Sequence, residues 1–271
     1  MAVLDRDDPR IHQLVADTRW AGVVSFEQVA STQDVALERI GGGHAVGEVI
    51  VASRQSAGRG RRGRSWLDSV TSADGQPANL AVTATATAPA AAGLVPLAAG
   101  LAVDATYAAS GAQTALKWPN DVLIGGRKAA GILVEQHTID RQRVVLIGTG
   151  LNLDWRGVQR SDDARQWISL AEATQISPDR VAVLVEYLRK LDALLQTIDH
   201  DKQTVVDEYR RRCATIGQTV EVALPGGMQL AGVAVGVDDD GQLLIDRHDE
   251  GRSKRIAISA GDVTHVRPVP S

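Results

Sequence analysis

Apolar runs of strand length recur through the first part of the chain, set between stretches of helical pattern. GEVIVASRQ (residues 47 to 55) reads as a strand, and NLAVTATATA (79 to 88), alternating Thr with Ala, suits a second. RVVLIGTGLNL (143 to 153) reads as a buried strand. After ALKWPND come VLI and AGILVEQ with GGRK between them, the pattern of a hairpin and its turn. A short helix is expected over 9 to 19, opening at Pro9. A clearer one is STQDVALERIGGG (31 to 43), with Ser31 or Thr32 as cap, Asp34 in the first turn and three glycines at its end. Small residues over 94 to 110 make a third, and two more follow at 178 to 198 and 201 to 212. The polar run 154 to 167 reads as a loop.

Beyond Ile216 the texture changes. Short alternating runs are separated by PGG, DDDG and DEG, the rhythm of a small β-barrel. The expected division is therefore a large domain over 1–215 and a small one over 216–271. No repeat of solenoid period is visible.

Composition narrows the class. The 271 residues are 44% hydrophobic and 23% charged, which suits a globular chain with a real core. Aromatics are only 3%, so that core is built from Ala, Val, Leu and Ile. A net charge of −4 argues against a protein coated in basic surface for nucleic acid. One cysteine, Cys213, allows neither an internal disulfide nor a Cys-rich metal site, and fits a reducing cytoplasm. The polar, acidic N-terminus shows no secretory signal. Residues 86 to 109, broken by Pro89 and Pro96, read as strand end, loop and buried helix rather than a membrane span.

Against that acidic background, GRGRRGRSW (58 to 66) stands out. Five arginines (Arg54, Arg59, Arg61, Arg62, Arg64) fall within eleven residues, interleaved with Gly58, Gly60 and Gly63. Ordering such a segment costs about 1–2 kcal/mol per residue in backbone entropy, and more at glycine. Charge-assisted bonds to phosphate return about 1.5–3 kcal/mol each. The composition thus predicts a loop that is disordered alone and folds onto an anion; taken by itself, such a run also reads as a solvated basic turn. KWPNDVLIGGRKAAGILVE crowds Lys117, Asn120, Asp121, Arg127 and Lys128 into an otherwise apolar strand and hairpin. A buried Lys128 needs a partner such as a ligand carboxylate or phosphate, and Gly131 leaves room for a ligand against the strand. In GTGLNL, Asn152 follows a buried strand.

STQD, GRGRRGRSW, KWPNDVLI followed by RKAAGILVE, and GTGLNL, in this order and spacing, closely resemble the catalytic domain of biotin–protein ligases, and the small C-terminal β-domain fits as well. The resemblance implies an α+β fold: a central mixed β-sheet with flanking helices, related to class II aminoacyl-tRNA synthetases, followed by an SH3-like barrel. It implies activation of biotin by MgATP as biotinyl-5′-AMP, then transfer to a lysine of a biotin carboxyl carrier domain. It also implies roles. Ser31, Thr32, Gln33 and Gln55 bind the biotin head group, with Gln33 standing where the family usually shows Asn. Gly58, Arg59, Gly60, Arg61, Lys128 and Gly131 surround biotin and its carboxylate; Arg61, Arg62, Arg64, Trp66, Lys117, Asn120, Asp121, Lys128 and Asn152 serve the nucleotide. Lys128 and Arg61 are the catalytic pair, and Asp121 is the candidate contact to Mg²⁺. No tightly bound structural metal and no membrane partner is implied; nor is DNA expected as a partner, since only about thirty residues precede STQD, too few for the winged helix-turn-helix of many bacterial relatives. A lipoate ligase or octanoyl transferase is the alternative of the same fold, though those families lack the dense Arg/Gly loop beside KWPND. A nucleic-acid binder would need an aromatic platform that is missing here.

Overall fold

The structure, a computed structural model, describes residues 4, 7–64, 66, 71–72, 75–159, 166–224, 226–249, 252–259 and 261–265. Two sheets carry the fold. The larger is seven-stranded, in the order β1 (Gly22–Val29), β2 (Glu48–Gln55), β3 (Asn79–Thr87), β7 (Gln142–Asn152), β6 (Arg127–Ile139), β5 (Asp121–Ile124) and β4 (Thr114–Lys117). Only β1 and β2 are parallel, and α2 (Thr32–Gly41) makes the crossover that a parallel pair requires. All other neighbours are antiparallel, so the sheet is mixed.

Helices α3 (Val95–Ala109) and α5 (Arg180–Arg212) pack together and cover one face, with α1 (Pro9–Asp17) against α5. Residues 92–109 are long and apolar enough to cross a membrane, yet 67% of that stretch is buried inside the fold. Its hydrophobicity is spent on the core. The two helices expected over 178–198 and 201–212 are halves of α5, which leaves helical geometry at Asp201 (φ −152°, ψ 75°). The Asp201 carboxylate accepts from the Thr204 hydroxyl at 2.6 Å, so the kink is a cap for the second half.

The opposite face is covered unevenly. Through Ala36 and Ile40, α2 packs on Ile50, Val144 and Leu146. Beside that contact the strands carry a row of small residues. Ala52 lies opposite Ala81, Ala81 opposite Gly150, and Gly150 opposite Gly131. Side chains alternate faces along a strand, so these four share one face and leave it bare.

The smaller sheet is antiparallel, in the order β11 (Arg252–Ile258), β10 (Leu243–Asp249), β9 (Gln229–Val237), β8 (Thr219–Ala223) and β12 (Asp262–His265). The DDDG signal is the β9–β10 turn: Asp238 accepts from the backbone N–H of Asp240 and Gln242, and Gly241 takes φ 83°. Trp118, 1% exposed, donates its indole N–H to the carbonyl of Gly241 at 2.9 Å and so fastens one sheet to the other.

Three local readings change. The sequence reading leaves residues 22–29 unassigned, whereas the structure forms β1; its half-exposed edge position erases the alternation that marks a one-sided strand. Helix α4 (Leu170–Thr174) is likewise absent from the sequence reading, although Ser169 and Glu172 form a capping box. The hairpin turn is Gly125–Gly126, both at positive φ, so Arg127 and Lys128 belong to β6 rather than to the turn.

Trp118→Phe removes the indole donor and leaves a buried carbonyl unpaired. The expected loss is about 1–3 kcal/mol from that carbonyl alone. Urea unfolding should show a lower midpoint; an unchanged midpoint would count against the link.

Candidate functional site

A cavity of about 770 Å³ lies over the bare row, walled by α2, the Arg/Gly loop, the β5–β6 hairpin and the start of β12. Its floor exists because side chains are missing. A Cβ on Gly150 would stand 2.3 Å from the Trp66 ring, and one on Gly131 would stand 2.8 Å from it. Trp66 therefore lies flat on the sheet. It stacks on Trp167 at 5.5 Å between centroids and 21° between planes, with the Lys128 ammonium 5.3 Å from its ring. The Trp66 indole nitrogen is buried with no hydrogen-bond partner among the described residues.

One end of the cavity is polar and neutral. Ser31 sits at the N-cap position of α2, but its hydroxyl makes no capping bond, contrary to the cap expected of Ser31 or Thr32. Thr32 instead donates its backbone N–H to Gln55 Oε1 at 2.7 Å, and its hydroxyl bonds the same oxygen at 3.1 Å. A backbone N–H can only donate, which fixes the amide orientation of Gln55 and leaves its NH₂ as the outer end. Gly58 makes room for that end: a Cβ there would lie 3.1 Å from Gln55 Nε2. Gln33, 4% exposed, donates Nε2 to the Leu133 carbonyl at 2.9 Å across the surface of Gly148. Its Oε1 is buried without a partner among the described residues. A side chain longer than Asn thus fits because Gly148 offers no Cβ.

The other end is charged. Lys128 and Asp121 form an ion pair at 2.6 Å. Asn120 is clamped to β6 through Ile132, by its Nδ2 at 3.0 Å and its backbone carbonyl at 2.8 Å, and accepts from Arg61 through Oδ1 at 3.2 Å. Arg61 also reaches the Gly261 carbonyl at 3.3 Å, and Arg64 pairs with Asp262. Arg59 pairs with Asp34 at 2.7 Å and Glu135 at 3.4 Å. The loop closes on itself through Gly60 N–H to Arg64 O at 2.6 Å and Trp66 N–H to Gly58 O at 2.8 Å. Beside the expectation of a loop that orders on an anion, the structure shows carboxylates of the chain itself, Asp34, Glu135 and Asp262, as partners of its arginines. At the rim, burial and then the nearby charge of Lys117 hold the His265 imidazole below its ordinary pKa.

Most of the residues read from sequence converge. Ser31, Thr32, Gln33, Gln55, Arg59, Gly60, Arg61, Arg64, Trp66, Lys117, Asn120, Asp121, Lys128 and Gly131 all line the cavity. Asn152 stands behind its wall, where Nδ2 donates to the carbonyls of Lys128 at 3.2 Å and Ile168 at 3.0 Å. It thereby sets Lys128 and Trp167 side by side. The side chain of Arg62 lies outside the described residues, as do residues 160–165 of the loop at 154–167. Sequence reasoning missed Gly148, Gly150, Trp167, Asp262 and His265, all of which line the cavity. The Gly-x-Gly of GTGLNL did carry a signal, since glycines two apart in a strand bare the same face.

Comparison with known proteins agrees with this geometry. Residues 25–152 match the Biotin/lipoate A/B protein ligase family, and residues 215–266 match the Biotin protein ligase C terminal domain. The biotin–[acetyl-CoA-carboxylase] ligase of Mycobacterium tuberculosis is 37% identical over 275 residues, spanning 97% of this chain and 96% of that protein. The bifunctional ligase/repressor BirA of Escherichia coli is 31% identical, spanning 87% of this chain and 72% of BirA. Biotin protein ligase from Aquifex aeolicus, solved with biotin and ATP, shares the fold at a TM-score of 0.72 and 24% identity, over 90% of this chain and 99% of that one. Matches to both family models, with 37% identity to a ligase over nearly the whole length of each chain, place this chain in the biotin protein ligase family.

Proposed function

We propose that the chain activates biotin with ATP and passes it to a lysine of a biotin carboxyl carrier domain, the cavity holding both substrates in one line. The observation that carries this reading is the division of the cavity into a neutral end and a cationic end joined by a bare floor. At the neutral end, Gln33 Oε1 and a lone pair of Thr32 are acceptors. Two acceptors complement the two N–H groups of a cyclic urea. Beside the Trp66 ring, which covers Gly150 and Gly131, the Ala81 part of the floor suits the flat ring and acyl chain. The dithiolane of lipoate offers no N–H to this end, so biotin is the acid that fits.

At the cationic end Lys128, Arg61 and Arg64 receive the carboxylate and the phosphates. A carboxylate oxygen attacks the α-phosphorus, a new P–O bond forms, and the bond to pyrophosphate breaks. Lys128 stands where both anions meet, lowering their repulsion and stabilising the charge that grows on phosphorus. Ligand anions replace Asp121 as its partner. Asp121 and Asn120 are the residues that would hold a magnesium ion, which would screen the charge of the triphosphate. In the second step the carrier amine attacks the acyl carbon, AMP leaves with the bonding electrons, and the nitrogen loses its proton. The loop with Arg61 keeps water from the anhydride meanwhile. We place the reaction in the cytoplasm, where Cys213 remains a free buried thiol.

Incubation with biotin, MgATP and a carrier domain should add one biotinyl group to the carrier by intact mass; an unmodified carrier that accepts lipoate instead would overturn the assignment. Lys128→Ala should fold as wild type yet slow pyrophosphate release by about 10²–10³-fold, the scale of losing one charge-stabilising group. Unchanged release would remove Lys128 from the first step. Arg61→Gly should let biotinyl-AMP escape, detected as free adenylate when the carrier is withheld. Retention equal to wild type would mean that Arg61 is no clasp.

A further inference from the structure

Beneath the neutral end lies a polar side chain that does not reach the cavity. Thr83 of β3 is 0% exposed and sits in register between Ile50 and Gly148. Buried polar groups are hydrogen-bonded, and this hydroxyl has its partner in the protein. It donates to Thr32 Oγ1 at 2.8 Å. Thr85, two residues on and on the same face, uses its hydroxyl differently: it donates to the Glu48 carbonyl at 2.9 Å and accepts the Gly47 N–H at 3.0 Å, which is strand bonding. The Thr83 hydroxyl has its partner on the lip of the site instead.

A sequence of forced roles follows. Gln55 Oε1 can only accept, and it is already held by the Thr32 backbone N–H. The Thr32 hydroxyl therefore spends its one proton on Gln55. Thr83 takes one of the two lone pairs of Thr32, leaving one for a ligand. We infer that Thr83 is a positioning residue for the head group: Gln55 takes the Thr32 proton, and Thr83, by donating to the same hydroxyl, holds it in the orientation that turns its remaining lone pair to the cavity, where it receives an N–H of the acid's head. This rests on the biotin reading above and adds a residue that touches neither substrate. Hydrogen bonds in such a chain polarise one another, so removing the first weakens the acceptor at the end. Valine in place of Thr83 keeps the branched shape and deletes only the donor.

The test is calorimetric titration of biotin into wild type, Thr83→Val, Thr83→Ala and Thr83→Ser, with kcat and the KM values for biotin and ATP measured alongside. Thermal unfolding of each ligand-free protein is the fold control, and Thr83→Ala carries the test if the valine variant does not fold. Thr83→Val and Thr83→Ala should each bind biotin about tenfold more weakly, equivalent to about 1.4 kcal/mol. Their kcat at saturating biotin should stay within about twofold and their KM for ATP should not move, because Thr83 acts on head-group binding alone. Thr83→Ser, which restores the donor, should return affinity to within about threefold of wild type. A folded valine or alanine variant that binds biotin as wild type does would overturn the inference. So would a serine variant as weak as valine, which would assign the effect to volume. Wild-type protein that takes up no biotin would overturn the biotin reading together with this one, whereas tight wild-type binding with an indifferent valine variant overturns this one only.

Discussion

A ligand can lie flat on a β-sheet only where the sheet presents no side chains, and the rest of this site depends on that constraint. The Gly131–Gly150 pair, extended by Ala81 and Ala52, opens a strip across four strands. Trp66 occupies part of it at contact distance, which shows how little clearance the strip has. Everything polar is arranged at its two ends. The mixed sheet fixes their separation, because Thr32 and Gln55 come from the β1–β2 side and Lys128 and Asp121 from the β5–β6 side. A rigid floor with opposite chemistries at its ends suits a reaction that must hold an uncharged ring in one place and two anions in another.

The cationic end shows how a chain of net negative charge tolerates five arginines in eleven residues. Arg59 is balanced by Asp34 and Glu135, Arg64 by Asp262, and Lys128 by Asp121. These carboxylates come from four different elements. They give the cations partners on separate elements. Burial is partial in every pair, so pairing does not demand full desolvation of either partner.

Much of this was legible in the sequence, for identifiable reasons. Hairpin and helix boundaries marked by glycine, as at Gly125–Gly126 and Gly42, could be read because positive φ and helix ends have local causes. The site residues of STQD, the Arg/Gly loop and KWPND were recognised from the resemblance, and the structure brings most of them to one cavity. What the sequence hid was pairing across strands. That Gly131 faces Gly150, that Thr83 reaches Thr32, and that Trp167 lies beside Lys128 are facts of register, which no local pattern encodes. Strand β1 was hidden for a related reason, since an edge strand half open to solvent keeps no clean alternation.

The contacts of Arg61 and Arg64 with Gly261 and Asp262 join positions about two hundred residues apart, and this bears on how the protein is made. A chain still emerging from the ribosome can assemble its sheet, and hence its floor, before the last strand has been synthesised. The rim contacts of Arg61 and Arg64 can form only once Gly261 and Asp262 have emerged, so the floor of the cavity can precede its rim.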